Sequence, residues 1–148
     1  MKIEDEIKSK FRNENHKALV NLYYTETLLS GYFQNMLKKY GLAEPQFNVL
    51  RILRGQIPHA ASIGLIKERM VNKNSDVSRI IERLFIKGLV ERKECNVDRR
   101  QKDVIISKKG LVLLNKMAAC EEQEDKLLDN LSKDEVRQLN YLLDKIRG

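Results

Sequence analysis

Apolar residues recur at intervals of three and four along most of the chain, which is the spacing of one face of an α-helix. The longest such stretch covers residues 18–40 and stops at Gly41, a residue type that often ends helices. Ahead of it, Ile3, Ile7 and Phe11 repeat at four and predict a short helical arm. The pattern therefore predicts a mainly helical chain.

Two further helices are predicted before the middle of the chain. Pro45 suits a first helical turn, where a missing N–H costs nothing, and the apolar face that follows it extends to Gly55. Ser62 is a candidate N-cap for a short helix that ends near Met70. A polar break at residues 71–74 separates this helix from another, predicted at about residues 75–87. Two short helices joined by a tight polar turn predict a helix-turn-helix.

The helix predicted at residues 75–87 has two different faces. At about 100° per residue, one side carries Val77, Ile80, Ile81, Leu84 and Gly88, and the other carries Ser75, Arg79, Glu82, Arg83 and Ile86. The first side is predicted to be core and the second to face a ligand. Short polar side chains and unpaired N–H groups at its N-terminal end suit a DNA major groove and a phosphate. The alternative is that Asn74 or Ser75 is only an N-cap and the arginines are solvated charges.

A β-hairpin is predicted after Gly88. Residues 89–94 alternate loosely and residues 104–106 are β-branched, so two short strands flank a polar bend. Asp98 lies two residues before Arg100, close enough to brace its guanidinium, and a braced arginine suits a narrow minor groove. The predicted fold is mainly α with a small β-hairpin wing, a winged helix-turn-helix. The candidate DNA-binding residues are Asn74, Ser75, Asp76, Ser78, Arg79, Arg83, Asp98, Arg99, Arg100 and Lys102.

The distribution of charge supports a polyanionic partner. The 148-residue chain has a net charge of +7. Residues 62–110 hold thirteen basic and seven acidic side chains, whereas residues 111–148 hold six and eight. A surplus of positive charge concentrated around the predicted hairpin is typical of a surface that binds double-stranded DNA.

The two ends of the chain predict a homodimer. Apolar residues continue at helical spacing through one long helix predicted at residues 110–130, and Ser132 with Glu135 forms a capping-box pattern before a last helix. Together with residues 1–40, these helices have more apolar surface than a motif of about 50 residues can cover. A second copy would bury it. The alternative is an intramolecular helical cap.

The densest sequence pattern, in residues 65–110, resembles the MarR family (multiple antibiotic resistance regulator) of bacterial transcription factors. The resemblance is carried by LIKERM, SDVSRIIERLFIKGLVER and DRRQKDVIISKKG. The matching positions are Ser75, Val77, Ser78, Arg79, Leu84, Gly88, Leu89, Val90, Arg92, Asp98, Arg100 and Gly110. Two positions depart from the family pattern, with Ile106-Ser107 where Leu-Thr is usual and Ile66 in place of a small residue.

The resemblance implies an organisation and a function. The chain would be a single domain over residues 1–148, with a DNA-binding lobe at residues 42–110 and dimerisation helices at residues 1–41 and 111–148. The homodimer would repress transcription from an inverted-repeat operator, with recognition helices in successive major grooves and wing arginines in flanking minor grooves. A small aromatic effector would bind between the dimer helices and the DNA-binding lobe, and Tyr23, Tyr24, Phe47 and Met117 are the candidate pocket residues. The alternative for these four is plain core.

Other classes of function lack support in the sequence. No Gly-rich phosphate loop, nucleophile elbow or HExxH motif is present, so an enzyme is not expected. With His16, His59, Cys95 and Cys120 scattered, neither a metal site nor a cofactor is expected, and the two cysteines are either inert or thiol switches. No apolar run is long enough to span a membrane, and we expect a cytoplasmic protein. A protein-binding winged-helix module and a non-specific architectural DNA binder remain as alternatives.

Overall fold

The computed structural model describes residues 1–95, 97–98 and 100–148, and within these ranges it contains eight α-helices, one 3₁₀ turn and a two-stranded antiparallel sheet. In chain order the elements are α1 (Ile3–Ile7), α2 (Glu14–Lys38), α3 (Glu44–Gln56), α4 (Ile63–Arg69), α5 (Val77–Ile86), β1 (Val90–Glu94), β2 (Lys102–Ile106), α6 (Lys108–Lys116), α7 (Ala118–Asp125), the 3₁₀ turn (Lys126–Leu128) and α8 (Lys133–Arg147). The predicted class, mainly α with a hairpin wing, is confirmed. No helix in the described part of the chain is long and apolar enough to cross a membrane.

Local sequence signals account for where several helices begin and end. The side-chain oxygen of Asn13 accepts a hydrogen bond from the His16 N–H at 2.8 Å and starts α2 four residues before the predicted position. Gly41, with φ at +67°, follows the end of that helix as predicted. Ser62 caps α4 through the Leu65 N–H at 3.1 Å, and Ser132 with Glu135 forms the predicted capping box of α8.

The hairpin pairs in a register that packs one face on the core. Val90 lies opposite Ile106, and Glu94 lies opposite Lys102 at the distal end. The sequence did not indicate a third segment beside them. Ala61 exchanges two hydrogen bonds of 2.8 Å with Val104, so the residue before the N-cap of α4 extends the sheet. This bridge fixes the root of the hairpin to the helix-turn-helix.

The core lies around α3, which packs against α2, α4, α5, α6 and β2. Its least exposed large side chains come from α2 to α6, both strands and the residues Met70 and Met117 that follow α4 and α6. They are Leu37, Val49, Leu50, Leu53, Ile66, Met70, Leu84, Val90, Val104, Leu114 and Met117. Because α3 is shared by so many neighbours, the positions of α5 and of the hairpin are set by the same core.

The prediction of a single long helix at residues 110–130 is wrong, because two helices and a 3₁₀ turn occupy this segment. The chain bends at Met117, where φ is −89° and ψ is 3°, and the Met117 N–H is shared between the carbonyl oxygens of Leu113 and Leu114. The bend separates α6, which packs on α3, from α7, which packs on α2. Met117 itself is fully buried. An uninterrupted apolar repeat does not reveal that its two halves bury against different neighbours.

Candidate nucleic-acid interface

The predicted recognition helix is present, and its N-cap is not one of the two residues that the alternative interpretation named. The N-cap of α5 is Asp76, whose Oδ1 accepts a hydrogen bond from the Arg79 N–H at 3.1 Å, so neither Asn74 nor Ser75 has that role. In the turn before it, the side-chain oxygen of Asn72 accepts from the Asn74 N–H at 3.0 Å. The Asp76 carboxylate therefore occupies the end of the helix at which a phosphate was predicted to bind, and its charge disfavours an anion there.

The two faces of α5 separate as predicted. Val77, Ile81 and Leu84 are buried, and Ile80 is half-buried against the core. The opposite face is exposed, and its members include Ser78, Arg79, Glu82, Arg83 and Ile86. Ser75 departs from the prediction because it is half-buried in the turn before the helix. Exposed short and basic side chains over the first two turns of a helix are suited to the edges of bases.

The carboxylate of Asp98 shapes the tip of the hairpin, but not in the predicted way. Its Oδ1 accepts a hydrogen bond from the backbone N–H of Arg100 at 2.9 Å, and its carbonyl oxygen accepts from the Gln101 N–H at 3.0 Å. An ion pair between Asp98 and the Arg100 guanidinium is absent from the described residues, so that predicted brace is wrong. Because an aspartate side chain is short, it reaches the backbone N–H two residues ahead more easily than it reaches the guanidinium of that residue.

The basic side chains of the hairpin are exposed. Arg100 lies in the turn and Lys102 begins β2, and both are open to solvent. Arg99, also predicted to bind DNA, lies outside the described residues. The turn closes through the Cys95 N–H, which donates to the Gln101 carbonyl at 3.1 Å. These backbone hydrogen bonds and the Asp98 side chain together close the turn and leave the side chains of Arg100 and Lys102 exposed.

A side chain that the sequence did not single out for this role joins the hairpin to α5. Arg92 on β1 forms an ion pair with Glu82, and its guanidinium carbon lies 4.4 Å from the centroid of the Phe85 ring. Both partners are exposed residues of α5. The i, i+3 spacing of Glu82 and Phe85 places them side by side on the helix, which lets one guanidinium contact both. This contact fixes the wing beside the recognition helix.

The root of the wing is closely packed. The Ser107 hydroxyl donates to the Gly88 carbonyl oxygen at 2.7 Å and accepts from the Gly110 N–H at 3.0 Å, which caps α6 as expected for a serine at this position. Gly110 is buried against the same segment. A Cβ added there would lie 2.3 Å from the carbonyl oxygen of Leu89 and 2.7 Å from Cγ1 of Ile106. Only glycine fits this approach of α6 to the hairpin.

A cavity of about 780 Å³ lies between α2, α3 and the turn before α5. Its apolar wall includes Phe33 and Phe47, whose rings pack edge to face with 5.5 Å between their centroids. Its polar lining includes Arg51, Asn72 and Ser75. The cavity therefore touches the turn that leads into the recognition helix.

Of the four candidate effector residues, only Phe47 lines this cavity. Tyr23 is 69% exposed on the outside of α2, and Tyr24 donates its hydroxyl to Glu6 at 2.8 Å. Met117 is fully buried in the core. The predicted set is therefore not brought together. Helical periodicity marks apolar positions without telling which wall of a helix borders a cavity.

Glu124, which lines the cavity, has a carboxyl group with a shifted pKa. Burial raises the pKa of Glu124 above its ordinary value of 4.5, although the nearby Arg51 opposes the shift. Elsewhere, the His16 side chain accepts a hydrogen bond from the Arg12 N–H at 3.2 Å. Over the part of the chain that the structure describes, no three His, Cys, Asp or Glu side chains are grouped to hold a metal ion.

A tight polar turn, a capped helix with an exposed basic face and a basic hairpin fixed beside it define a winged helix-turn-helix protein. The model of the MarR family matches residues 42–102. The matched segment, which is less than half of the chain, is similar to DNA-binding transcriptional regulators of the MarR family. This confirms the resemblance seen in the sequence.

Individual relatives are similar over most of their length. The HTH-type transcriptional regulator MgrA of Staphylococcus aureus is 27% identical over 135 residues, 90% of each chain. The structure of Bordetella bronchiseptica BpsR, from work on regulation of its DNA binding by 6-hydroxynicotinic acid, is 26% identical with a TM-score of 0.77 and covers 89% of this chain and 99% of that one. The S. aureus MepR–DNA complex has a TM-score of 0.73 at 19% identity, over 84% of this chain and 94% of that one, and is similar in fold.

Proposed function

We propose that the chain is a homodimeric repressor that binds an inverted-repeat operator. Each copy inserts the N-terminal turns of α5 into a major groove and places Arg100 in the flanking minor groove. The observation that carries this proposal is the Arg92 contact to Glu82 and Phe85, because it holds the basic hairpin in a fixed position beside the exposed face of α5. A helix and a loop held in this way can meet adjacent grooves of one duplex.

The surface of the chain supports a second copy as its partner. The accessible surface is 11188 Å². A compact monomer of 17.3 kDa exposes only about 7,800 Å² by the usual scaling with mass. An excess of this size is typical of a chain whose flanking helices pack in an oligomer.

The last helix supplies much of the uncovered apolar surface. None of the residues of α8 is buried, and Tyr141, Leu142 and Ile146 are exposed by 61%, 47% and 67%. Exposed apolar residues also line α2, namely Leu19, Tyr23, Leu28 and Tyr32. A two-fold dimer brings the same surfaces of both copies together and so covers α2 and α8 at once.

A charge on α8 tests this interface. Leu142→Glu should shift the dimer to monomer or aggregate, because it buries a carboxylate in an apolar contact. Asn140→Glu changes an exposed position on the opposite side of the same helix and is the matched control. Light scattering of the purified chains gives the mass. A stable Leu142→Glu dimer would remove α8 from the interface.

The form of the operator and the sense of regulation follow from the dimer. A two-fold axis repeats the α5 tip and the wing, so the half-sites form an inverted repeat with centres about 10 base pairs apart. A dimer of this size on a promoter excludes polymerase by occupancy, which favours repression.

We further propose that a small aromatic acid binds in the cavity and weakens DNA binding. The rings of Phe33 and Phe47 suit a flat ligand, and the guanidinium carbon of Arg51 lies 5.7 Å from the Phe47 ring centroid. Arg51 is therefore the cation of the lining that lies beside the aromatic wall; the other charged lining residues are Glu26, Lys38, Glu44 and Glu124. Asn72 and Ser75 line the same cavity, so an occupant contacts the turn before α5. The ligand acts only if it binds the DNA-free arrangement more tightly. BpsR, whose DNA binding 6-hydroxynicotinic acid regulates, is similar in fold and sequence.

Two arginines of α3 allow a controlled test of this cavity. Arg51 and Arg54 both pair with Glu121, at 3.6 and 3.2 Å, but only Arg51 lines the cavity. Titration with 6-hydroxynicotinic acid should show binding that Arg51→Met weakens about tenfold, as expected for a lost charge-assisted contact. Arg54→Met should leave the affinity unchanged. Equal losses in both variants would indicate a structural effect of the Glu121 pairing.

DNA affinity measured across salt concentrations separates the three candidate functions. A specific regulator prefers its selected duplex over a scrambled one by about 10³-fold or more, and its affinity falls steeply with salt. A non-specific architectural binder shows the steep salt dependence with little preference. A protein-binding module shows neither. The proposal is lost if the selected and scrambled duplexes bind equally.

A further inference from the structure

Three helix ends meet at the side chain of Lys87, the residue that follows the last residue of α5. Its ammonium donates a hydrogen bond to the carbonyl oxygen of Gly41, just beyond the end of α2. It also lies 3.4 Å from Oε1 of Gln46 in the first turn of α3. One cation therefore joins the recognition helix to the corner between α2 and α3.

The chemistry of this corner favours a cation. The last carbonyl oxygens of α2, those of Leu37 and Lys38, already accept from backbone N–H groups of the turn that follows. The acceptor that Lys87 reaches is the carbonyl oxygen of Gly41, just beyond the helix. The left-handed backbone of Gly41, at φ +67°, turns the chain there. Gln46 is buried, and its Oε1 also accepts from the Ala43 N–H at 3.1 Å, which holds that oxygen in place. The acceptors for Lys87 are thus provided by fixed parts of the fold.

The same junction reaches the helix that follows the wing. The carbonyl oxygen of Lys87 accepts a hydrogen bond from the ammonium of Lys109 in α6 at 2.8 Å. Lys87 therefore donates to α2 and α3 and accepts from α6. The C-terminal end of α5 is tied by polar contacts to three other helices.

The N-terminal end of α5 is in a different setting. It is capped only within its own segment, where the Asp76 carboxylate accepts a hydrogen bond from the Arg79 N–H. The preceding turn borders the 780 Å³ cavity through Asn72 and Ser75. A polar bond holds that turn where Asn48 accepts from the Val71 N–H at 3.0 Å. A helix of ten residues is about 15 Å long, so a small rotation about the Lys87 end displaces the N-terminal tip by much more than the pivot itself.

We propose that Lys87 is a positioning residue that sets the distance between the two recognition helices of the dimer by tying α5 to the end of α2. The inference rests on the proposed function, in which α2 belongs to the dimerisation region and α5 reads the operator. Lys87 fixes the pivot of α5, and the cavity lies at the moving end. Without the ammonium, α5 takes a wider range of orientations relative to α2, and the dimer accepts a wider range of half-site spacings.

The test is the dependence of affinity on half-site spacing. Full-length parent, Lys87→Met, Lys87→Gln and Lys87→Arg chains are titrated with duplexes that carry the selected half-sites at the preferred spacing and at spacings changed by one or two base pairs. The parent should discriminate among spacings. In both neutral variants, the ratio of affinities between the preferred and the changed spacings should fall about tenfold, as expected for a lost charged hydrogen bond. Lys87→Arg should keep the parent ratio.

Two controls separate positioning from loss of charge or of fold. Lys39→Met removes the same charge from an exposed residue two positions before Gly41 and should keep the spacing preference. Thermal unfolding and light scattering should show folded dimers for all variants, because Lys87 is exposed.

The outcomes distinguish the pivot from the proposed function on which it rests. If neutral variants of Lys87 weaken binding equally at every spacing and reduce its salt dependence, Lys87 is a phosphate contact and the inference is overturned. An unchanged spacing preference in these variants overturns it as well. If the parent itself shows no preference for any duplex, operator binding fails first and the pivot with it.

Discussion

The guanidinium carbon of Arg92 lies 4.4 Å from the centroid of the Phe85 ring, so a strand of the wing is held by a side chain of the recognition helix. The same guanidinium pairs with Glu82, one turn earlier on the helix. These partners are partly exposed, with 33% of the Arg92 side chain and 52% of the Glu82 side chain accessible, so their contribution to global stability is small. Their importance lies in the relative position of helix and hairpin.

Replacing Arg92 should therefore affect DNA binding more than folding. Arg92→Ala should lower the free energy of unfolding by about 1 kcal/mol, since an exposed ion pair and an exposed cation–π contact are each weak. Urea unfolding measures this value. A double-mutant cycle with Phe85→Leu isolates the ring contact, and the operator affinity of the same variants reports the position of the wing. A coupling energy of zero together with parent-like affinity would show that the contact does not position the wing.

Arg100 is expected to act through the shape and delocalised charge of its guanidinium. Arg100→Ala should weaken operator binding, with fold and dimer intact. Arg100→Lys keeps the charge but should restore only part of the affinity, because an ammonium is more strongly hydrated and fits a narrow minor groove less well. Fluorescence anisotropy on one labelled operator gives both values. Full rescue by lysine would place Arg100 at a phosphate.

Gly110 should tolerate no side chain. Gly110→Ala places a Cβ 2.3 Å from the Leu89 carbonyl oxygen, a backbone atom that cannot move without shifting the wing, and should cost roughly 2–4 kcal/mol of the free energy of unfolding. Gly64→Ala is the matched control, because its nearest heavy atom, the Ser62 hydroxyl oxygen, is 3.8 Å away. That control should be neutral or stabilising by up to about 1 kcal/mol, since alanine favours a helix interior. Equal stability of the two variants in urea would rule out the close approach of α6.

Glu124 makes the stability of the chain depend on pH. Burial raises the pKa of its carboxyl in the folded state above the ordinary 4.5, so the folded chain holds this proton more tightly than the unfolded chain does. Stability is therefore greatest below pH 4.5 for this group and falls as the pH rises through the folded pKa. Glu124→Gln should remove that fall and be more stable than the parent at neutral pH. Urea unfolding at a series of pH values measures the difference, which would be absent if Glu124 were fully hydrated.

The local elements could be predicted because their signals are local. The caps at Ser62 and Ser132 and the two faces of α5 depend on residues within one or two turns, and the sequence indicates them directly. The same holds for the stop at Gly41. The exposed site residues Ser78, Arg79, Arg83 and Arg100 were found in this way, and their role at DNA remains a prediction.

The features missed by sequence reasoning depend on contacts between distant segments. The Ala61–Val104 bridge, the bend at Met117 and the Lys87 bond to Gly41 join residues that no periodic pattern relates. The carboxylate of Asp98 could bind either the backbone N–H or the guanidinium of Arg100, and the structure shows the hydrogen bond to the backbone N–H. The residues that line the effector cavity were also missed, because α2 has apolar residues on more than one side. Tyr23 lies on the solvent-exposed side and not at the cavity.

Selection of bound duplexes from a random pool shows whether paired copies of the chain align two α5 tips and two wings along one duplex. We expect an enriched inverted repeat with half-site centres about 10 base pairs apart and altered base preferences when Ser78 or Arg79 is replaced. Recovery of duplexes with no shared sequence, or of a single asymmetric site bound by one copy of the chain, would contradict it.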